Sequence, residues 1–130
     1  MANEIICLDT SVLIDFYRKK DKTKSFFYQL AQGNRSFAVS VITEYEIFTG
    51  SNTEQDQYWN DFFQRILVLP FDTDTNKTAI IIERNLKAKR KQIDKPDLFI
   101  GATALKNKMK LATLNRSHFE RIDGLVLINN

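Results

Sequence analysis

Among 130 residues there is one cysteine, one histidine, two prolines and four glycines. A lone cysteine cannot cross-link the chain to itself, which excludes a disulfide-framed fold. Cys7 sits in the apolar run Ile5-Ile6-Cys7-Leu8. That setting predicts a buried structural thiol in a reducing compartment. No Pro/Gly/Ser-rich linker divides the chain, and no internal repeat is present. No apolar run approaches the roughly 20 residues of a membrane span, so no membrane association is expected. Met1-Ala2-Asn3-Glu4 carries no basic leader, and the apolar run behind it is too short for a secretion signal. The expectation is a cytoplasmic protein.

Hydrophobic residues make up 43% of the chain, enough to fill a core and set disorder aside. The length suits a single domain over residues 1–130. The formal net charge is +3, which permits a polyanionic partner without requiring one. The cations are clustered. Arg84, Lys87, Lys89, Arg90, Lys91 and Lys95 crowd one stretch, and Lys106, Lys108 and Lys110 another. Such runs are either solvated helix faces or a track for a nucleic-acid backbone.

Short apolar runs alternate with helical patterns. Strands are expected at Ile5–Leu8, Phe37–Val39, Leu67–Leu69, Leu111–Thr113 and Val126–Ile128. Their near-continuous hydrophobicity is that of strands buried on both faces of a parallel sheet. Helices are expected over Ser11–Lys19, Lys22–Gly33, a segment capped by Ser40 and ending at Gly50, Thr53–Arg65, Thr73–Lys91, Lys95–Asn107 and Arg116–Arg121. The fold class is therefore α/β, with a central, mainly parallel five-stranded sheet flanked by helices. Ligands of such sheets bind beyond the carboxyl ends of the strands.

Acidic residues fall where that rule places a site. Asp9 ends the first strand, though Asp9 or Ser11 would also serve as a helix cap. In Ser40–Gly50 the helical period puts Val41, Tyr45 and Phe48 on one face, with Ile42 beside them. Glu46 and Glu44 then border opposite edges of that face, and periodicity does not choose between them. Asp97 lies in the first turn of a helix that is apolar on most sides, where it complements the helix dipole. Asp94 is an alternative cap there. A carboxylate at the head of a buried helix is costly unless a cation or donors meet it. Oxygen ligands of this kind suit Mg²⁺ or Mn²⁺ and phosphoryl chemistry.

Four segments together resemble the PIN-domain ribonucleases of the VapC toxin type. They are Leu8-Asp9-Thr10-Ser11-Val12-Leu13-Ile14; Ser40-Val41-Ile42-Thr43 with Glu46-Ile47 and Gly50; Asp97-Leu98-Phe99-Ile100-Gly101-Ala102-Thr103-Ala104-Leu105; and Thr113-Leu114-Asn115 with His118-Phe119-Glu120-Arg121-Ile122 and Gly124-Leu125. They occur in order and span nearly the whole chain. The resemblance implies a PIN-like three-layer sandwich. It selects Glu46 over Glu44, and it implies Asp9 and Asp97 as the main metal ligands and catalytic acids. Where most members carry a fourth acid, this chain has Asn115 and His118. Asn115 would reach a metal-held water, or cap a short helix. His118 would contact a phosphate, or pack at that helix's edge.

The implied activity is hydrolysis of RNA phosphodiesters, leaving a 5′-phosphate and a 3′-hydroxyl, with hydroxyls of Thr10, Ser11 and Thr113 positioning water or phosphate. The implied partners are RNA, a cognate antitoxin whose helix lies in an aromatic groove, and a second copy of the chain. Phe26-Phe27-Tyr28 and Tyr58, Trp59, Phe62 and Phe63 are the aromatic candidates for core or groove. Two rival readings are a PIN nuclease of RNA maturation and a non-enzymatic α/β signalling module with an acidic pocket.

Overall fold

The computed structural model describes residues 4–129. Four strands, β1 (Glu4–Leu8), β2 (Arg35–Ser40), β3 (Leu67–Leu69) and β4 (Lys110–Ala112), form one sheet in the order β3-β2-β1-β4. All three strand pairings are parallel, with Cys7 opposite Ala38 on one side and Leu8 opposite Ala112 on the other. Successive residues of β1 point to opposite faces, as the pleat requires. Cys7 joins a core with Ile82, Leu86, Leu98, Ile100 and Phe119. Ile6 and Leu8 join a second core with Val12, Leu13, Trp59 and Phe63. Helices thus cover both faces of a buried central strand, which gives three layers.

The expected fifth strand is not a strand. Residues Val126–Ile128 touch the sheet through one bridge, Leu111 opposite Leu127. The Leu111 amide donates to Val126 O, and Ile128 N donates to Leu111 O, both at 2.9 Å. The sheet therefore has four strands and no antiparallel pair among the described residues.

Helices α1 (Thr10–Arg18), α2 (Phe26–Ala31), α3 (Val41–Gly50) and α4 (Thr53–Phe63) precede β3 or lie between strands. Ser25 interrupts the expected helix over Lys22–Gly33. It caps α2 by accepting from Tyr28 N, and only a 3₁₀ turn, Lys22–Lys24, remains before it. Ser40 caps α3 as expected, accepting from Ile42 N. Gly50 is the last helical residue of α3, and the extended Ser51 ends the helix.

Helices α5 (Thr73–Ala88), α6 (Lys95–Lys106) and α7 (Arg116–Phe119) complete the order. The first ends before Lys91 because Arg90 adopts a left-handed φ of 57° and Lys91 N folds back onto Leu86 O. Lys108, also at φ 57°, ends α6 in the same way, with Met109 N on Ala104 O. Both are Schellman ends, which normally recruit glycine. Among the described residues no helix is long and apolar enough to cross a membrane. Cys7 is fully buried, and burial pushes its thiol pKa up to about 12, so it is inert as a nucleophile.

Candidate active site

Parallel pairing brings the ends of β1, β2 and β4 to one rim, where Asp9, the start of α3 and Thr113 follow directly. Asp9 stands at the N-cap position of α1, yet its side chain makes no cap bond. It is 2% exposed. Its Oδ2 accepts from Ser11 Oγ and from Thr113 Oγ1, both at 2.8 Å. Each hydroxyl also accepts a backbone amide of the turn after β4. Leu114 N donates to Ser11 Oγ at 3.1 Å, and Asn115 N to Thr113 Oγ1 at 2.9 Å. The two hydroxyls thereby fix Asp9 and lock the β1 and β4 turns together.

Burial pushes the Asp9 pKa above the ordinary aspartate range, and the nearby Asp97 charge adds to the rise. The bonds from Ser11 and Thr113, and a backbone bond from Thr10, oppose it. Asp97 sits in the first turn of α6 and is partly buried. Its Oδ2 lies 2.9 Å from His118 Nδ1. Asp94 precedes α6 as N-cap residue, but its side chain makes no cap bond.

Glu46 is joined to the Asp9 segment. Thr10 Oγ1 lies 2.7 Å from Glu46 Oε1 and 3.0 Å from Thr43 Oγ1. One hydroxyl carries one proton, and a carboxylate only accepts. Thr10 therefore donates to Glu46, and Thr43 donates to Thr10. Glu44 has no such link among the described residues.

The burial of α3 differs from the periodic reading. Thr43 and Ile47 are its buried residues, while Tyr45 is 68% exposed. Thr43 and Ile47 lie one turn apart on one face, so the buried face of α3 is rotated away from the Val41–Tyr45–Phe48 face that periodicity selects. Thr43 was the residue missed. Its signal was its place one helical turn before Glu46.

Ser40 and Thr103 extend the buried polar line, with Thr103 Oγ1 3.3 Å from Ser40 Oγ. Asn115 occupies the N-cap position of α7 but makes no side-chain cap bond, and it is exposed. An open groove of about 460 Å³ adjoins Glu46, walled by Ile42, Tyr45, Pro96 and Phe99.

Among the described residues no lysine or arginine pairs with Asp9, Glu46 or Asp97. No three Asp, Glu, His or Cys side chains there form a ready-made ligand group. The donor chemistry nonetheless fits a hard divalent ion. A buried carboxylate lies near a second carboxylate, and no lysine or arginine among the described residues pairs with either.

A PIN-domain profile matches residues 6–125. The chain belongs to the PIN-domain family. Ribonuclease VapC1 of Methanocaldococcus jannaschii is 34% identical over 118 residues, covering 90% of this chain and 80% of the relative. This PIN domain therefore falls with the VapC ribonucleases. VapBC-1 from nontypeable Haemophilus influenzae superposes with a TM-score of 0.82 at 26% identity, covering 96% of this chain and 97% of that one. The DNA-bound VapBC of Salmonella typhimurium has the same fold, with a TM-score of 0.82 at 23% identity and 98% of both chains covered. The four-segment resemblance and the three-layer fold are thus borne out.

Proposed function

We propose that the chain is a metal-dependent endoribonuclease, acting as a single cytoplasmic PIN domain and as the toxin of a toxin–antitoxin pair. The observation that carries this is the burial of Asp9 against the Asp97 charge, where no lysine or arginine among the described residues pairs with either carboxylate. Asp9, Asp97 and Glu46 would hold Mg²⁺, or Mn²⁺, through oxygen donors. Such an ion, when bound, makes water a nucleophile near neutral pH and offsets charge growing on the phosphate.

The remaining work falls to the chain itself. Ser11 and Thr113 hold the Asp9 carboxylate in one rotamer, and the Thr43–Thr10 pair does the same for Glu46. The exposed Asn115 amide would meet the substrate. Tyr45 offers an exposed ring beside Glu46 on which a base next to the scissile bond stacks. Cleavage by water leaves a 5′-phosphate and a 3′-hydroxyl.

Among the basic residues, Lys89 pairs with Asp123 and Lys95 with Glu83. Arg84, Lys87, Arg90 and Lys91 have no acidic partner among the described residues and serve the RNA backbone. Arg121 donates to the Lys91 and Gln92 carbonyls, which ties this basic loop to the segment after α7.

A groove of about 580 Å³ between α1, α2 and α4, lined by Phe16, Phe27, Tyr58 and Phe62, is the seat we assign to the antitoxin. The VapBC complexes of related fold support an antitoxin partner. Exposed Ile80 and Ile81 on α5 suit a contact between two copies of the chain.

The deciding experiment incubates purified chain with single-stranded RNA and maps the new ends. Cleavage that needs Mg²⁺ or Mn²⁺, stops with chelator and disappears in Asp9→Asn is expected. Cleavage that persists in chelator, or in Asp9→Asn, sinks the proposal.

A further inference from the structure

We propose that Arg18 binds an RNA phosphate outside the reacting bond, in a groove that carries the backbone along α1 away from the acidic rim. The inference deepens the nuclease reading above and rests on it. A groove of about 410 Å³ is lined by Ser11, Ile14, Asp15, Arg18 and Lys19. The first four are positions i, i+3, i+4 and i+7 of one helix, so they form a single stripe on α1. At the rise of a helix the stripe runs about 10 Å from Ser11 to Arg18. Its near end borders the site itself, because Ser11 Oγ donates to Asp9 Oδ2 at 2.8 Å. The exposed Leu114 adjoins that end through its amide, which donates to Ser11 Oγ.

The far end is basic. Residues 18–24 carry Arg18, Lys19, Lys20, Lys22 and Lys24 against the single acid Asp21. These cations are not equivalent. Lys22 belongs to the fold, since its Nζ donates to the Phe16 and Tyr17 carbonyls, both at 2.6 Å, and closes the end of α1. Lys19 pairs with Asp15 at 3.4 Å, and Asp15 also accepts from Phe26 N. The acid that lines the groove is thereby occupied. Arg18 is exposed, and no acidic partner for it is seen among the described residues.

A polyanion that approaches an acidic rim is repelled unless cations stand beside its path. Grooves that take single strands meet this need with positive side chains that track the backbone. A guanidinium suits the task, because its planar fork gives a phosphate two parallel N–H bonds. The distance from Ser11 puts Arg18 at a neighbouring phosphate and not at the scissile one. Arg18 therefore adds affinity for RNA long enough to reach it and takes no part in bond cleavage.

The test uses the full chain and the single-stranded RNA whose new ends the cleavage experiment maps. Filter binding in Ca²⁺ across a salt series gives affinities for that RNA and for forms shortened one nucleotide at a time from each end. Wild type, Arg18→Ala, Arg18→Lys and Lys24→Ala are compared. Lys24 carries charge on the same segment but does not line the groove. Arg18→Ala should weaken binding of the full-length RNA about fivefold, the upper range for an exposed ion pair. The slope of log affinity against log salt should fall by roughly 0.7, one phosphate contact of a single strand. Arg18→Lys should keep that slope, and Lys24→Ala should bind as wild type does. Once the RNA is shortened past the groove on one side, wild type and Arg18→Ala should bind alike, because the phosphate that Arg18 holds is gone. An Arg18→Ala loss no larger than that of Lys24→Ala, or the same at every RNA length, overturns the subsite and leaves the nuclease reading intact. Wild type that cleaves no RNA overturns both.

Discussion

Asp9 depends on two hydroxyl groups. Thr113 donates a hydrogen bond to Asp9 and accepts one from Asn115 N at the same time. Thr113→Val keeps the shape and removes both bonds. It should cost about 1–3 kcal/mol of stability, because a buried carboxylate and a partly buried amide lose a partner. Divalent-ion affinity should fall about 10- to 100-fold. Thermal melts with and without Mn²⁺ measure both, and an unchanged ion-induced shift would count against the arrangement.

Asp9 also makes a pH prediction. Its pKa is raised in the folded chain, so the folded state keeps that proton to higher pH than the unfolded one. The associated stability is full below the ordinary aspartate range and is lost as pH rises through the raised value. In chelator, Asp9→Asn should therefore gain melting temperature over wild type as pH rises from acid toward neutral. A difference that stays flat across that range contradicts the assignment. Activity of the same variant should drop by more than about 100-fold, exceeding the usual effect of losing an outer partner.

At the level of elements, the contact between α6 and the α7 segment sets where His118 lies. A side chain at Gly101 would meet Ile122 Cδ1 at 2.5 Å and Phe119 Cδ1 at 3.5 Å. The methyl of alanine is accommodated if Ile122 turns, but the branched valine must move Phe119 as well. Gly101→Val should destabilise by about 1–3 kcal/mol and weaken ion binding by displacing α7. A Gly101→Val protein with wild-type melting and ion affinity would refute this coupling. The helix ends offer the opposite sign. Lys108 holds a left-handed φ of 57° in a Schellman end that glycine adopts without strain. Lys108→Gly should stabilise by about 1 kcal/mol, the scale of the left-handed penalty for a residue with Cβ. Chemical denaturation reads it directly.

Over the whole molecule, three surfaces are distinct in kind. On the proposed reading the acidic rim and its Tyr45 groove would face the reaction, the Phe16–Tyr58–Phe62 groove a protein partner, and the cations after Arg84 that have no acidic partner among the described residues would face RNA. Replacing Lys87, Arg90 and Lys91 together by alanine should lower the slope of log affinity against log salt by about 2, at roughly 0.7 per phosphate contact for a single strand. Filter binding in Ca²⁺ across a salt series measures it. An unchanged slope would return these residues to an ordinary solvated surface. Phe62→Glu should release a co-expressed antitoxin without altering RNA cleavage, because that groove shares no residue with the Glu46 groove.

The order of strands and helices, the parallel sheet and its double burial were legible in the residues, because strand and helix periods are local properties of the chain. The resemblance over four segments likewise needed only their order and spacing. The acidic residues were legible as candidates, but periodicity left Glu44 and Glu46 equivalent and placed Tyr45 in the core. Tertiary structure distinguished them, since Thr10 reaches Glu46 across 36 positions of sequence and Thr113 reaches Asp9 across 104. The reduction of Val126–Ile128 to one bridge was equally invisible, because it depends on how that segment meets β4 and not on its own apolar run. Asn115 and His118 were interchangeable in the chain. Folding set them apart by packing Phe119 and Ile122 on Gly101, which leaves the imidazole, and not the amide, against Asp97.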